Sequence, residues 1–101
     1  RSLETGVIES NPEGSTTIAD GLRTQLGNIN FPIIQAHVDG IQCVSEEKIS
    51  FWQRWVWERM KLVIEPSSAV ALAALEQLHP QLKGQEWVVI ISGGNCAFPK
   101  P

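Results

Sequence analysis

Apolar residues recur at helical spacing in the middle of the chain. Ile49, Trp52, Val56, Met60 and Val63 fall on one stripe, which Trp55 and Leu62 widen. Ser45 stands where a helix N-cap belongs, and Glu46 and Glu47 suit the positive end of the helix dipole. Lys48 takes the position where a capping box would place Glu or Gln. The spacing therefore predicts a long helix over 45–62. Pro66 breaks it and opens another, 67–78, whose small residues allow close approach to a neighbouring layer. Two shorter helices are predicted earlier. Over 18–26, Ile18, Leu22 and Leu26 share a face before Gly27-Asn28 end it. A second has Pro32 in its first turn and runs to Val38, before Asp39-Gly40. The opening Arg1-Ser2-Leu3-Glu4-Thr5 reads as the tail of a helix capped by Gly6.

Two segments read as strands. Residues 41–44 are a short apolar run with a β-branched residue at each end. Residues 87–91, Trp-Val-Val-Ile-Ile, are continuously apolar, as in a parallel strand buried on both faces. Residues 7–16, with Asn11-Pro12 and Gly14, read as a loop. His79-Pro80 and Lys83-Gly84 mark another, and Phe98-Pro99-Lys100-Pro101 is a proline-ended exit. The order helix, helix, strand, long helix, helix, strand predicts an α/β class. Two short strands cannot close a core alone, so partner strands are expected from outside the chain. The start at Arg1, with nothing like a signal peptide, points the same way. The expectation is one partial domain over 1–101, with 1–17 a lead-in and 98–101 a tail.

Composition narrows the function. A chain of 101 residues and 11.2 kDa holds one small domain. Its formal net charge of −3 argues against a nucleic-acid-binding module, which needs a positive footprint. With 43% hydrophobic and 19% charged residues it is not a disordered chain. No apolar run approaches the ~20 residues of a membrane helix. Two cysteines, Cys43 and Cys96, make no disulfide scaffold and fit a reducing, cytoplasmic setting.

Several residues could carry chemistry, each beside a plainer reading. Ser92-Gly93-Gly94-Asn95 directly follows the predicted buried strand, where α/β sheets place ligands. Two glycines let a ligand approach the backbone, and a serine hydroxyl can donate or accept; the same four residues also make a simple turn. Glu65, between Leu62-Val63-Ile64 and Pro66, is either a partly buried carboxylate, its pKa raised unless paired, or a solvated glutamate at a helix end. Asp20-Gly21 reads as a local turn or cap. Arg59 and Lys61 either bind a phosphate or form a basic helix end. Trp52, Trp55 and Trp87 read as core or interface. Trp57, off the main stripe, is expected to contact chain outside this segment or a second subunit. Cys43 is expected to be buried in its strand, and Cys96 to lie beside the glycine turn. His37 and His79 are the only histidines, and no metal-ligand spacing, Ser/His/Asp arrangement or phosphate loop is present.

Taken together, Thr17-Ile18-Ala19-Asp20-Gly21, Trp57-Glu58-Arg59-Met60-Lys61, Ile64-Glu65-Pro66 and Ser92-Gly93-Gly94-Asn95 occur in order and at separations that resemble one family. It comprises the serine racemases and related threonine/serine dehydratases, fold-type II enzymes that use pyridoxal phosphate. The resemblance covers about 18–95 and leans to the racemase branch through Trp-Glu-Arg-Met-Lys. It implies the C-terminal part of the large cofactor-binding domain, with short parallel strands packed by helices.

The resemblance also implies roles. Ser92 is similar to the serine that hydrogen-bonds the cofactor's pyridine nitrogen, with Gly93 and Gly94 beside it. A neutral hydroxyl does not hold a pyridinium as a carboxylate would, so the ring nitrogen should stay largely unprotonated and act as a weaker electron sink. Gly21 resembles the residue whose backbone lies along the ring. Glu65 resembles an acidic catalytic residue that orients or polarises the site rather than taking the α-proton. Lys61, Asn95 and Arg59 resemble a site for ATP as activator at a subunit interface. The ligands of the family's divalent metal would fall outside this chain. So would its Schiff-base lysine and phosphate-binding glycine loop: Lys48, Lys61, Lys83 and Lys100 all lie in unsuitable contexts. The chain alone is therefore expected to be inactive. Within an intact homodimer it would join the rest of its parent chain to act on serine or threonine, by β-elimination of water or by inversion at Cα, with no nucleic acid or membrane as partner. Two other readings stay open: a truncated, non-catalytic interaction or dimerisation module, and a small nucleotide-binding α/β domain.

Overall fold

The computed structural model describes residues 1–11 and 16–97. Pro12 and Gly14 of the predicted loop, and the tail at 98–101, lie outside the described residues. Four α-helices occur among those described: α1 (Ser2–Thr5), α2 (Asn30–His37), α3 (Glu46–Trp55) and α4 (Pro66–Leu78). Single 3-10 turns stand at Asp20–Leu22 and His79–Gln81, and a π-helical turn, Val56–Met60, extends α3. No helix among the described residues is long and apolar enough to cross a membrane.

The end signals act where they were read. Gly6 closes α1 in the left-handed region, φ 80°, its amide donating to the Ser2 carbonyl at 2.9 Å. The Ser45 hydroxyl caps α3 by accepting the Lys48 amide at 3.3 Å. Pro66 opens α4 at a position where its missing N–H costs nothing.

α3 and α4 pack against each other around Ile49, Val56, Ile64 and Ala69, with Ala19 reaching in from the lead-in. A clasp reinforces the pair. Glu76 of α4 accepts from Lys48 Nζ at 2.8 Å and from Trp52 Nε1 at 2.7 Å, and these two donors hold its carboxyl below the usual carboxylate range. Glu46, at the start of α3, is held low in the same way by the Thr17 hydroxyl and the Ile18 amide.

The structure corrects several expectations. No helix forms over 18–26. In a helix the Gly21 amide would donate to the Thr17 carbonyl; instead it donates to Ser67 Oγ at 3.0 Å, and that carbonyl accepts from the Arg23 guanidinium. Only the 3-10 turn Asp20–Leu22 remains. The α3 stripe holds at Ile49 and Val56 but fails at Met60 and Val63, which are exposed. Met60 closes the π turn Val56–Met60, whose wider winding takes it off the α-helical stripe, while Trp57 packs half-buried against the core. Trp57 packs on this chain's own core, and its Nε1 donates to the Ile64 carbonyl at 2.9 Å.

The predicted strands at 41–44 and 87–91 form no ladder among the described residues, since neither meets a pairing edge there. Val88 is 90% and Ile90 75% exposed, and Cys43 is exposed as well. The surface totals 7885 Å², against about 5,700 Å² for a compact monomer of this mass. Much of what the composition intends to bury is therefore uncovered within this chain.

Candidate functional site

Glu65 is the N-cap of α4 (φ −80°, ψ 162°), its carbonyl accepting the Ser68 amide at 3.0 Å. The residue before it is pinned. The Ile64 carbonyl accepts from Gln53 Nε2 at 3.0 Å, Trp57 Nε1 at 2.9 Å and Cys96 Sγ at 3.3 Å. Glu65 does not spend its carboxylate on capping the helix. That half-buried group turns instead toward two glycines.

Gly93 is the first. The Glu65 amide donates to its carbonyl at 2.9 Å, and a Cβ on Gly93 would run into Glu65 Oε1. Gly94, next along the turn, is as tightly placed, since a Cβ there would come within 2.5 Å of the Val63 carbonyl oxygen. Gly21 is the second partner. A Cβ there would stand 2.8 Å from Ser67 Oγ and 4.0 Å from Glu65 Oε2. Gly21, Glu65 and Gly93 are thus neighbours, brought together from three separate segments.

Ser68 locks the glycine turn to α4. Its buried hydroxyl accepts the Gly93 amide at 2.8 Å, lies 2.8 Å from the Gly93 carbonyl oxygen, and stands 3.1 Å from Ser92 Oγ. Ser92 itself is exposed, and its hydroxyl pairs with the buried one of Ser68. A carboxylate and an exposed serine beside glycine backbone suit the edge of a small planar heterocycle with an acceptor nitrogen. A cleft of about 620 Å³ has Glu47, Gln53, Arg54, Trp57 and Cys96 in its lining and includes none of these residues. Gly21, Ser92 and Gly94 are all exposed.

No sequence motif marks Ser67 or Ser68 as site residues. The available signal was a pair of serines in the first helical turn after Pro66, a position from which short hydroxyls commonly bond backbone groups. Lys61, Arg59 and Asn95 are less united. Lys61 ends the π turn in the left-handed region, φ 59°, with its Nζ folded back onto the Glu58 carbonyl at 2.6 Å. Arg59 and Asn95 are exposed, and no hydrogen bond or ion pair joins the three among the described residues.

Comparison with known proteins comes to the same group of enzymes. A family model described as pyridoxal-phosphate dependent enzyme matches residues 1–93. Serine racemase from Dictyostelium discoideum is 46% identical over 100 residues, covering 94% of this chain and 30% of that protein. L-threo-3-hydroxyaspartate ammonia-lyase from Pseudomonas sp is 43% identical over 101 residues, covering 99% of this chain and 31% of that one. The crystal structure of T.th. threonine deaminase superposes with a TM-score of 0.91 at 40% identity, covering 99% of this chain and 34% of the other. The chain spans about a third of the length of the relatives it matches.

Proposed function

This chain belongs to the family of pyridoxal-phosphate dependent enzymes, and from that membership we propose that it supplies the ring-nitrogen side of the cofactor site in an enzyme acting on β-hydroxy-α-amino acids. The observation that carries this reading is the convergence of Gly21, Glu65 and Gly93, with Ser92 outward beside them. Serine, threonine and hydroxyaspartate, the compounds in the relatives' names, share one skeleton with a hydroxyl on Cβ. The parent would remove ammonia from such a substrate through loss of the β-hydroxyl, leaving an α-keto acid, or invert it at Cα.

Bound here, pyridoxal phosphate would supply the electron sink for breaking the Cα–H bond. The chain's own residues would do the rest on this side. Ser92 holds the ring nitrogen through a neutral hydroxyl. Gly21 and Gly93 leave room for Ser67 and Glu65 beside the site, and Ser67 keeps Gly21 in place through the Gly21 amide. Glu65, pinned through Ile64 and Gly93, orients the site and biases its charge. The lysine that anchors the cofactor would come from the remainder of the parent, along with strands that pair with 41–44 and 87–91 to form a parallel sheet. Covering the apolar side chains of 87–91 would then contribute on the order of 5 kcal/mol to assembly.

The same reading gives Lys61, Arg59 and Asn95 to an ATP-binding surface between subunits of a cytoplasmic homodimer, with a divalent metal held outside this chain. Cofactor titration of the intact parent tests the main reading: wild type should bind stoichiometrically and S92A at least tenfold more weakly, whereas equal affinities would remove Ser92 from the site. ATP binding that survives K61A would remove the nucleotide surface. A parent that binds neither ligand would return the chain to an interaction module.

A further inference from the structure

Ser68 Oγ lies within hydrogen-bond reach of three groups: the Gly93 amide at 2.8 Å, the Gly93 carbonyl at 2.8 Å and Ser92 Oγ at 3.1 Å. The amide can only donate, so it fills one lone pair of Ser68. The single Ser68 proton must then go either to the Gly93 carbonyl or to Ser92. The carbonyl does not need it, because the Glu65 amide already donates there at 2.9 Å. Ser68 is 1% exposed, so no solvent competes for the choice.

The two settings have opposite consequences at the open face. If Ser68 donates to the carbonyl, Ser92 must donate inward to Ser68 and faces outward as an acceptor only. If Ser68 donates to Ser92, the Ser92 proton points outward. An unprotonated ring nitrogen is an acceptor and selects the second setting. Resting on the reading above, we propose that Ser68 is a positioning residue for the cofactor: it donates to Ser92 and so holds the Ser92 hydroxyl as a donor to the ring nitrogen. The chain Ser68 to Ser92 to ring nitrogen is directional, and each bond polarises the next, so the outer bond is stronger than Ser92 alone would make. The Glu65–Gly93 backbone bond, formed from a separate segment, is what frees the Ser68 proton from its backbone duty.

The test is the nitrogen-15 chemical shift of the ring nitrogen in the intact parent loaded with labelled pyridoxal phosphate, beside the visible absorption that reports whether cofactor is bound. S68A should retain the absorption and move the shift part of the way toward that of S92A. A bound cofactor with S68A at the wild-type shift, while S92A moves it, overturns the role of Ser68 and leaves the site intact. No shift in S92A overturns the site itself. If S68A does not fold, neutron diffraction on the wild-type holoenzyme decides. A deuteron on Ser68 directed at Ser92 supports the relay, and one directed at the Gly93 carbonyl overturns it.

Discussion

Glu65 and Gly93 meet twice: the Glu65 amide donates to the Gly93 carbonyl at 2.9 Å, and the Glu65 carboxylate occupies the space a Gly93 Cβ would need. The first contact is backbone and rigid; the second ends in a side chain that can swing. Gly94 differs, because its missing Cβ faces the Val63 carbonyl, which cannot move alone. G94A should therefore lower the stability of the parent by about 1–3 kcal/mol in denaturant titration. G93A should cost less stability but displace Glu65 and weaken cofactor binding. The reverse ranking would mean that Glu65 has another resting place.

The Trp57 indole reaches the Ile64 carbonyl next to Glu65, a carbonyl that also accepts from Gln53. W57F keeps most of the ring's packing and removes that donor. The expected loss is about 1 kcal/mol, measured by chemical denaturation. A loss beyond about 3 kcal/mol would show that packing against the π turn dominates.

Ser45, Pro66 and Gly6 act locally, through bonds within one helical turn, so the sequence announces α1, α3 and α4. Gly21 was readable as a glycine, but what holds it is Ser67, brought close only by the tertiary fold. The π turn is equally silent, since a helical stripe counted at 3.6 residues per turn cannot foresee an inserted residue. That is why Met60 is expected in the core and is found exposed. The strands were read from apolarity, which reports an intention to be buried and says nothing of whether the covering layer lies in the same chain. The glycine turn and Glu65 were visible as types; Ser68, which ties them together, had only its place after Pro66 to mark it.

Glu46 and Glu76 both have carboxyls held below the usual carboxylate range by hydrogen bonds, from Thr17 and Ile18 and from Lys48 and Trp52 respectively. A depressed pKa means that the folded state favours the ionised form. The stability each contributes is therefore present above the ordinary carboxylate pKa and is lost as pH falls through the lowered, folded value. Acid titration below about pH 4.5 should weaken the α3–α4 clasp and release the 17–18 segment, seen as a change in tryptophan emission. E76Q should flatten the part of that transition that arises from Trp52, and an unchanged titration in E76Q would contradict this assignment.

Lys61 holds a left-handed backbone that side chains resist, and its Nζ returns to the Glu58 carbonyl. K61A and K61G both lose that bond, but only glycine relieves the backbone. K61G should be the more stable of the two by about 1 kcal/mol in thermal or chemical unfolding. Equal stabilities would mean that the turn relaxes once the lysine is gone.

The most direct measurement is a crystal structure of the intact parent with pyridoxal phosphate bound. Ser92 Oγ should lie about 3 Å from the ring nitrogen, with Gly21 and Gly93 along the ring and Glu65 between them. A ring nitrogen that faces another side chain, with Ser92 turned to solvent, would contradict the account.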